Sequence, residues 1–227
     1  MKLLKLCLLP LLTLPILTQA FDMFLAPSDP ILKQVAEPIT PSEITSKDVQ
    51  GIIQEMLKMA YGEQQDWTRP VLVGLAAPQV GISKRIILVD VGADGKGKVS
   101  KLQVYINPEI TSFSEESNVW YEGCYSTKYK DGGIFGIVER PKKIQVKAFN
   151  EKGEAVVEEH EGYIARIFQH EIDHLNGKEF TEHVETGNLH YVEETEMVKY
   201  RNNQGWRQWD KKITKDEWNQ IKNGSNG

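Results

Sequence analysis

The chain is predicted to adopt an α+β fold, with mixed or antiparallel sheets around a central metal-binding helix that carries an HExxH motif. Three observations lead there. Strand-like segments come in runs, with helical stretches at either end and no alternating strand–helix rhythm. The strongest helical pattern, residues 162–176, contains His170-Glu171-Ile172-Asp173-His174. The chain has 227 residues, 40% of them apolar, which is enough to bury a core without disulfides. With 18 Gly, 10 Pro and an ordinary aromatic share, collagen, coiled coil and wholesale disorder are excluded. A net charge of −5 argues against nucleic acid as a partner, since a binder would show a basic footprint.

Residues 1–20 (MKLLKLCLLPLLTLPILTQA) read as a signal peptide. Lys2 and Lys5 give a positive start, Leu8 to Leu17 an apolar run, and Thr18 and Ala20 small residues before a cut at Phe21. The run is too short and too proline-broken to span a bilayer, so the mature chain is expected to lack a membrane span. The expectation is export, to a periplasm or beyond, with a cytoplasmic or organellar location as the alternative if the segment is retained or processed. Cys7 leaves with that segment, and Cys124 is then the single cysteine. A catalytic domain over 21–182 and a C-terminal extension over 183–227 complete the expected organisation.

Residues 21–41 are Pro-rich and read as an irregular lead-in. Ser46 caps a helix to about Ala60, with Val49, Ile52, Ile53, Met56 and Leu57 at helical spacing. Arg85 to Val91 reads as a buried strand and Gly92 to Gly97 as a loop. Leu102 to Ile106 is a strand stopped by Asn107-Pro108. Ile144 to Ala148 and Val156 onward form a hairpin about Asn150–Gly153. Gly162 to Asn176 is a helix with Gly177 as its C-cap. In the extension, Trp206, Trp209 and Trp218 are expected to pack on the domain, and the last five residues to be disordered.

Two His at i and i+4 project from one helix face and can reach one ion, with Glu171 beside it to handle the proton of an activated water. Ile164, Ile167, Phe168 and Leu175 make the helix apolar, so its imidazoles need partners. HExxH alone does not name an enzyme. The metzincin extension matches through Gly177, but Phe180 holds the next ligand position and His183 lies three residues too late. Glu193 and Glu194 lie on no confident helix. A cysteine remains.

Glu122-Gly123-Cys124-Tyr125-Ser126, Gly74-Leu75-Ala76-Ala77-Pro78-Gln79 and residues 169–177 (QHEIDHLNG) occur in the order and at roughly the spacing of the peptide deformylase family. The chain resembles that family over about residues 24–182. The resemblance implies hydrolysis of N-formylmethionyl peptides to formate and a free amino terminus. It implies Cys124, His170 and His174 as ligands of one divalent metal, Fe(II) in most members, with Zn, Ni or Co as substitutes. Zinc would sit more easily with export, because iron(II) on a thiolate is oxygen-sensitive. It also implies Glu171 as the proton carrier, and the Gln79 amide and the Tyr125 backbone N–H as oxyanion donors. Gly74 would admit the substrate backbone closely, and Val73, Tyr125 and Ile167 would line a methionine pocket. Arg140 would pair with a carboxylate near the site or stand exposed. The enzyme is expected to be a monomer.

Three departures bear on specificity. Leu72 stands where the family pattern GxGLAAxQ has its first glycine, and Tyr125 where leucine is commonest. Residues 127–136 (TKYKDGGIFG) read as a hydrophilic, Gly-rich loop unlike the family's. Two other readings stand beside deformylation: a metalloamidase or peptidase acting on unformylated substrates, and a non-catalytic binder of formyl-peptides. The intact Glu171 weighs against the binder.

Overall fold

Ile86-Ile87-Leu88-Val89 forms the middle of strand β2 (Ile86–Asp90), and every residue of that strand is buried. Period-two alternation explains why. Ile86 and Leu88 enter one apolar cluster with helix α1 (Lys47–Gln65), and Ile87 and Val89 enter another with helix α2 (Gly162–Leu175). The sheet is therefore covered on both faces. On α1, Val49, Ile53, Met56 and Ala60 are the buried apolar stripe. The computed structural model describes residues 24–65, 71–185, 187–193, 195–196, 209 and 211–224. The expected signal peptide, Trp206 and residues 225–227 lie outside these. Asn223 and Gly224 form a turn.

The first sheet has the order β1-β2-β3-β6-β7, all pairs antiparallel. Its other strands are β1 (Gly74–Ala76), β3 (Leu102–Phe113), β6 (Lys143–Phe149) and β7 (Ala155–Glu161). The hairpin expected about Asn150–Gly153 joins β6 to β7, with Phe149 opposite Ala155. The second sheet, also antiparallel, has the order β4-β5-β8-β9. Its strands are β4 (Ser117–Tyr129), β5 (Gly132–Pro141), β8 (Leu189–Glu193) and β9 (Lys212–Ile213). The α+β class with antiparallel sheets stands as expected.

Two local expectations need correction. The strand at Leu102 does not stop at Asn107-Pro108 but runs on to Phe113. Asn107 takes a left-handed φ of 50°, and its amide exchanges two hydrogen bonds with the backbone of Ile39 (2.9 and 2.6 Å). Pro108 falls where the β3–β6 register shifts, so its missing N–H costs no ladder bond. Residues 127–136 are no loop: they are the tip of the β4–β5 hairpin, which turns at Lys130-Asp131 with Lys130 at φ 52°.

The third apolar cluster joins Ile134 and Val138 of β5 to Phe180, Val184, Leu189 and Trp218. Trp218 is the anchor of a short helix, α3 (Lys215–Lys222), capped by Thr214 through Glu217. Trp209 and Trp218 thus pack on the domain as expected, and β8 extends the sheet that carries β4.

Candidate metal-dependent hydrolase site

Cys124 sits where β4 breaks register. Gly123 pairs with Phe135 and Lys128 with Gly133, so residues 124–127 face Ile134 alone. The Thr127 hydroxyl ties this bulge, donating to the Cys124 carbonyl (2.8 Å) and approaching that of Ile134 (3.1 Å). The bulge turns the Cys124 sulfur toward α2. His174 Nε2 lies 3.3 Å from it, and the donor atoms of Cys124, His170 and His174 all fall within 4.8 Å of one another. A soft thiolate and two imidazoles, held this close, suit a divalent transition metal.

Two observations fit a metal and its bound reactant. Glu171 Oε2 is buried without a hydrogen-bond partner among the described residues. His170 also has the oriented outer ring nitrogen expected of a ligand, with Nδ1 2.9 Å from Glu122 Oε2. Burial works against charge on Cys124, but the two histidines outweigh it and lower the thiol to about 5. His174 is raised despite its burial by that same sulfur. A cation takes the place of those ring protons when it binds. Burial pushes Glu171 up to about 7, with His170 and His174 opposing.

Gln79 follows β1 on a 3-10 turn, Ala77–Val80. Its Oε1 accepts from the Ala76 N–H (2.7 Å), which leaves Nε2 to donate to Cys124 Sγ (3.1 Å). The amide is therefore oriented before any substrate arrives. Gly74 has a reason that its motif did not reveal: a Cβ there would stand 2.4 Å from Glu171 Oε1. Its bare backbone makes room for the Glu171 carboxylate. Val73, Gly74, Gln79, Cys124, Tyr125, Ile167, His170 and Glu171 share one cavity. Tyr125 stacks on Phe24 at 4.6 Å, and Leu72 at the cavity edge is core, 2% exposed.

Behind the ligands lies a buried ionic group that the motifs did not announce. Glu122 accepts a bidentate pair from Arg140 (2.7 and 2.9 Å) and a third bond from Arg166 Nη1 (2.7 Å). Arg140 also donates to Asp173 (2.8 Å), so it is buried and paired rather than exposed. Burial would raise the Glu122 carboxyl, but Arg140 and His170 hold it far below the usual range. The signal available was the carboxylate two residues before Cys124. Arg166 had none, because it shares a helix face with Gln169, His170 and Asp173, where a charged residue reads as surface.

Two antiparallel sheets and a helix, with a donor triangle of one strand cysteine and two helix histidines beside a buried carboxylate, define a metal-dependent hydrolase. The polypeptide deformylase family model matches residues 22–189. Peptide deformylase of Thermotoga maritima is 44% identical over 149 residues, 66% of this chain and 78% of its own. That of Carboxydothermus hydrogenoformans is 45% identical over 155 residues, 68% of this chain and 87% of its own. Among solved structures, the Met-Ala-Ser-bound class I type b peptide deformylase of Acinetobacter baumannii superposes with a TM-score of 0.62. It is 34% identical and covers 71% of this chain and 96% of its own. The chain belongs to the peptide deformylase family. It is a metal-dependent hydrolase that removes the formyl group from the N-terminal methionine of nascent peptides.

This overturns the expectation of export. The relatives are bacterial enzymes of nascent-chain processing, whose substrate is present where chains are made. The described residues include no helix long and apolar enough to cross a membrane. The similarities give no support to the metalloamidase or the formyl-peptide binder.

Proposed function

We propose that Cys124, His170 and His174 hold one metal ion, Fe(II) by family resemblance, and that Glu171 carries the proton in deformylation. With export set aside, the argument for zinc over iron falls away. The ion would supply Lewis acidity at the formyl carbonyl and lower the pKa of the attacking water. Glu171 takes the water proton on the oxygen that has no partner among the described residues, and hands it to the leaving amine. A carboxyl pushed up to about 7 is suited to both directions of that transfer. Gln79 Nε2 and the Tyr125 backbone N–H donate to the developing oxyanion, preorganised by the Ala76 bond and the β4 bulge. Val73, Tyr125 and Ile167 take the methionine side chain. In this reading α2 is the central element, residues 21–182 carry the chemistry and the chain works as a monomer.

The observation that carries the reading is the convergence of three ligand atoms beside the unpartnered Glu171 oxygen. Formate release from formyl-Met-Ala-Ser by the full-length chain, loaded anaerobically with Fe(II), tests it. Metal-dependent formate is expected. None from a folded, metal-loaded protein would refute it.

A further inference from the structure

Trp209 lies beyond residue 189, where the family match ends, yet it lines the same cavity as His170 and Glu171. Its indole meets Phe135 at 5.0 Å and 60°, and Tyr121 at 5.5 Å and 87°, over Val192 of β8. Trp120 stacks on Tyr121 at 5.9 Å. Gly123 admits this arrangement, since a Cβ there would stand 2.2 Å from the Phe135 ring. The four aromatic residues line one cavity that is continuous with the candidate metal site.

Distance assigns the wall to a position in the substrate. Tyr121 precedes Cys124 by three residues of β4, regular as far as Gly123, or about 10 Å at ~3.3 Å per residue. An extended peptide advances by nearly the same step. With its formyl carbon at the metal ligands, its third residue comes level with Tyr121. We propose that Trp209, with Tyr121, Phe135 and Trp120, forms a specificity subsite for the side chain of the third substrate residue, favouring aromatic and large apolar groups. The chemistry fits: aromatic rings prefer edge-to-face and offset contacts with one another. Trp209 is only 8% exposed and already packed, so engaging it costs little ordering. The extension thereby acts in substrate choice. This proposal rests on the deformylase reading.

The test compares kcat/KM for formyl-Met-Ala-Phe and formyl-Met-Ala-Ser on the metal-loaded full-length chain. The unsubstituted enzyme is expected to favour Phe by about tenfold. Trp209→Ala is expected to bring that ratio near one, through KM rather than kcat. Trp209→Leu keeps the site filled and should lower the ratio likewise, which covers an Ala variant that fails to fold. A ratio near one in the unsubstituted enzyme overturns the subsite alone, as does an unchanged ratio in a folded Trp209 variant. Formate from neither peptide overturns the deformylase reading and the subsite together.

Discussion

Glu171 and Gly74 are coupled by one contact. Because a Cβ at position 74 would stand 2.4 Å from Glu171 Oε1, Gly74→Ala must displace the Glu171 carboxylate, the proposed proton carrier. A shift of ~1 Å in a positioned group costs about a hundredfold in rate. Gly74→Ala is expected to lower kcat by about that much with metal content unchanged, as steady-state kinetics and metal analysis would show. Glu171→Gln should lower kcat by about a hundredfold to ten-thousandfold, again with metal retained. Glu122 acts one step removed, by orienting His170 through Nδ1. Glu122→Gln is expected to weaken metal binding by about ten- to a hundredfold in a competition titration with a chelator. At this scale the two histidines and Glu171 were legible in the sequence, since i and i+4 on one helix face is a geometric statement. Arg166 was not, and Glu122 was legible only as a carboxylate two residues before Cys124. Their roles depend on β4, β5 and α2 coming together, which no local spacing encodes.

Helix α2 was the most legible element, because its apolar positions repeat at helical spacing and Gly177 closes it. The structure adds a reason for that glycine. Gly177 has φ 69°, and a Cβ would stand 2.7 Å from the backbone of Lys33. Gly177→Ala combines backbone strain with a clash that no side chain can relieve. It is expected to destabilise the fold by more than ~1 kcal/mol, read as a lower midpoint in denaturant. The β4–β5 hairpin was illegible for two physical reasons. Its turn is Lys130-Asp131, one residue before the Asp131-Gly132 pair that the tight-hairpin signal would place at its centre. The bulge at residues 124–127 also interrupts the period-two alternation by which a strand is recognised. The irregularity that hid the strand is the one that aims the Cys124 sulfur. Asn107-Pro108 misled in the opposite sense, because a bulge accommodates a proline that would end a regular strand.

For the whole molecule, the proposed metal site would tie the two sheets together. Cys124 belongs to the four-stranded sheet, and α2 packs mainly on the five-stranded one. An ion bound by both links their stabilities. Metal at a hundred times its dissociation constant adds about 2.7 kcal/mol to the folded state. Loading is therefore expected to raise Tm by several degrees, and a chelator to reverse it. The same scale separates what the sequence carries from what it does not. The family motifs define the chemistry, whereas the aromatic wall joins β4, β5 and Trp209 from far apart in the chain, so only the fold assembles it.

X-ray absorption at the metal edge of the loaded, full-length protein tests the central claim most directly. One sulfur at about 2.3 Å and two nitrogens near 2.0–2.1 Å are expected for the zinc form, with the sulfur lost in Cys124→Ala. A first shell of nitrogen and oxygen only, unchanged by Cys124→Ala, would contradict the Cys124, His170 and His174 site.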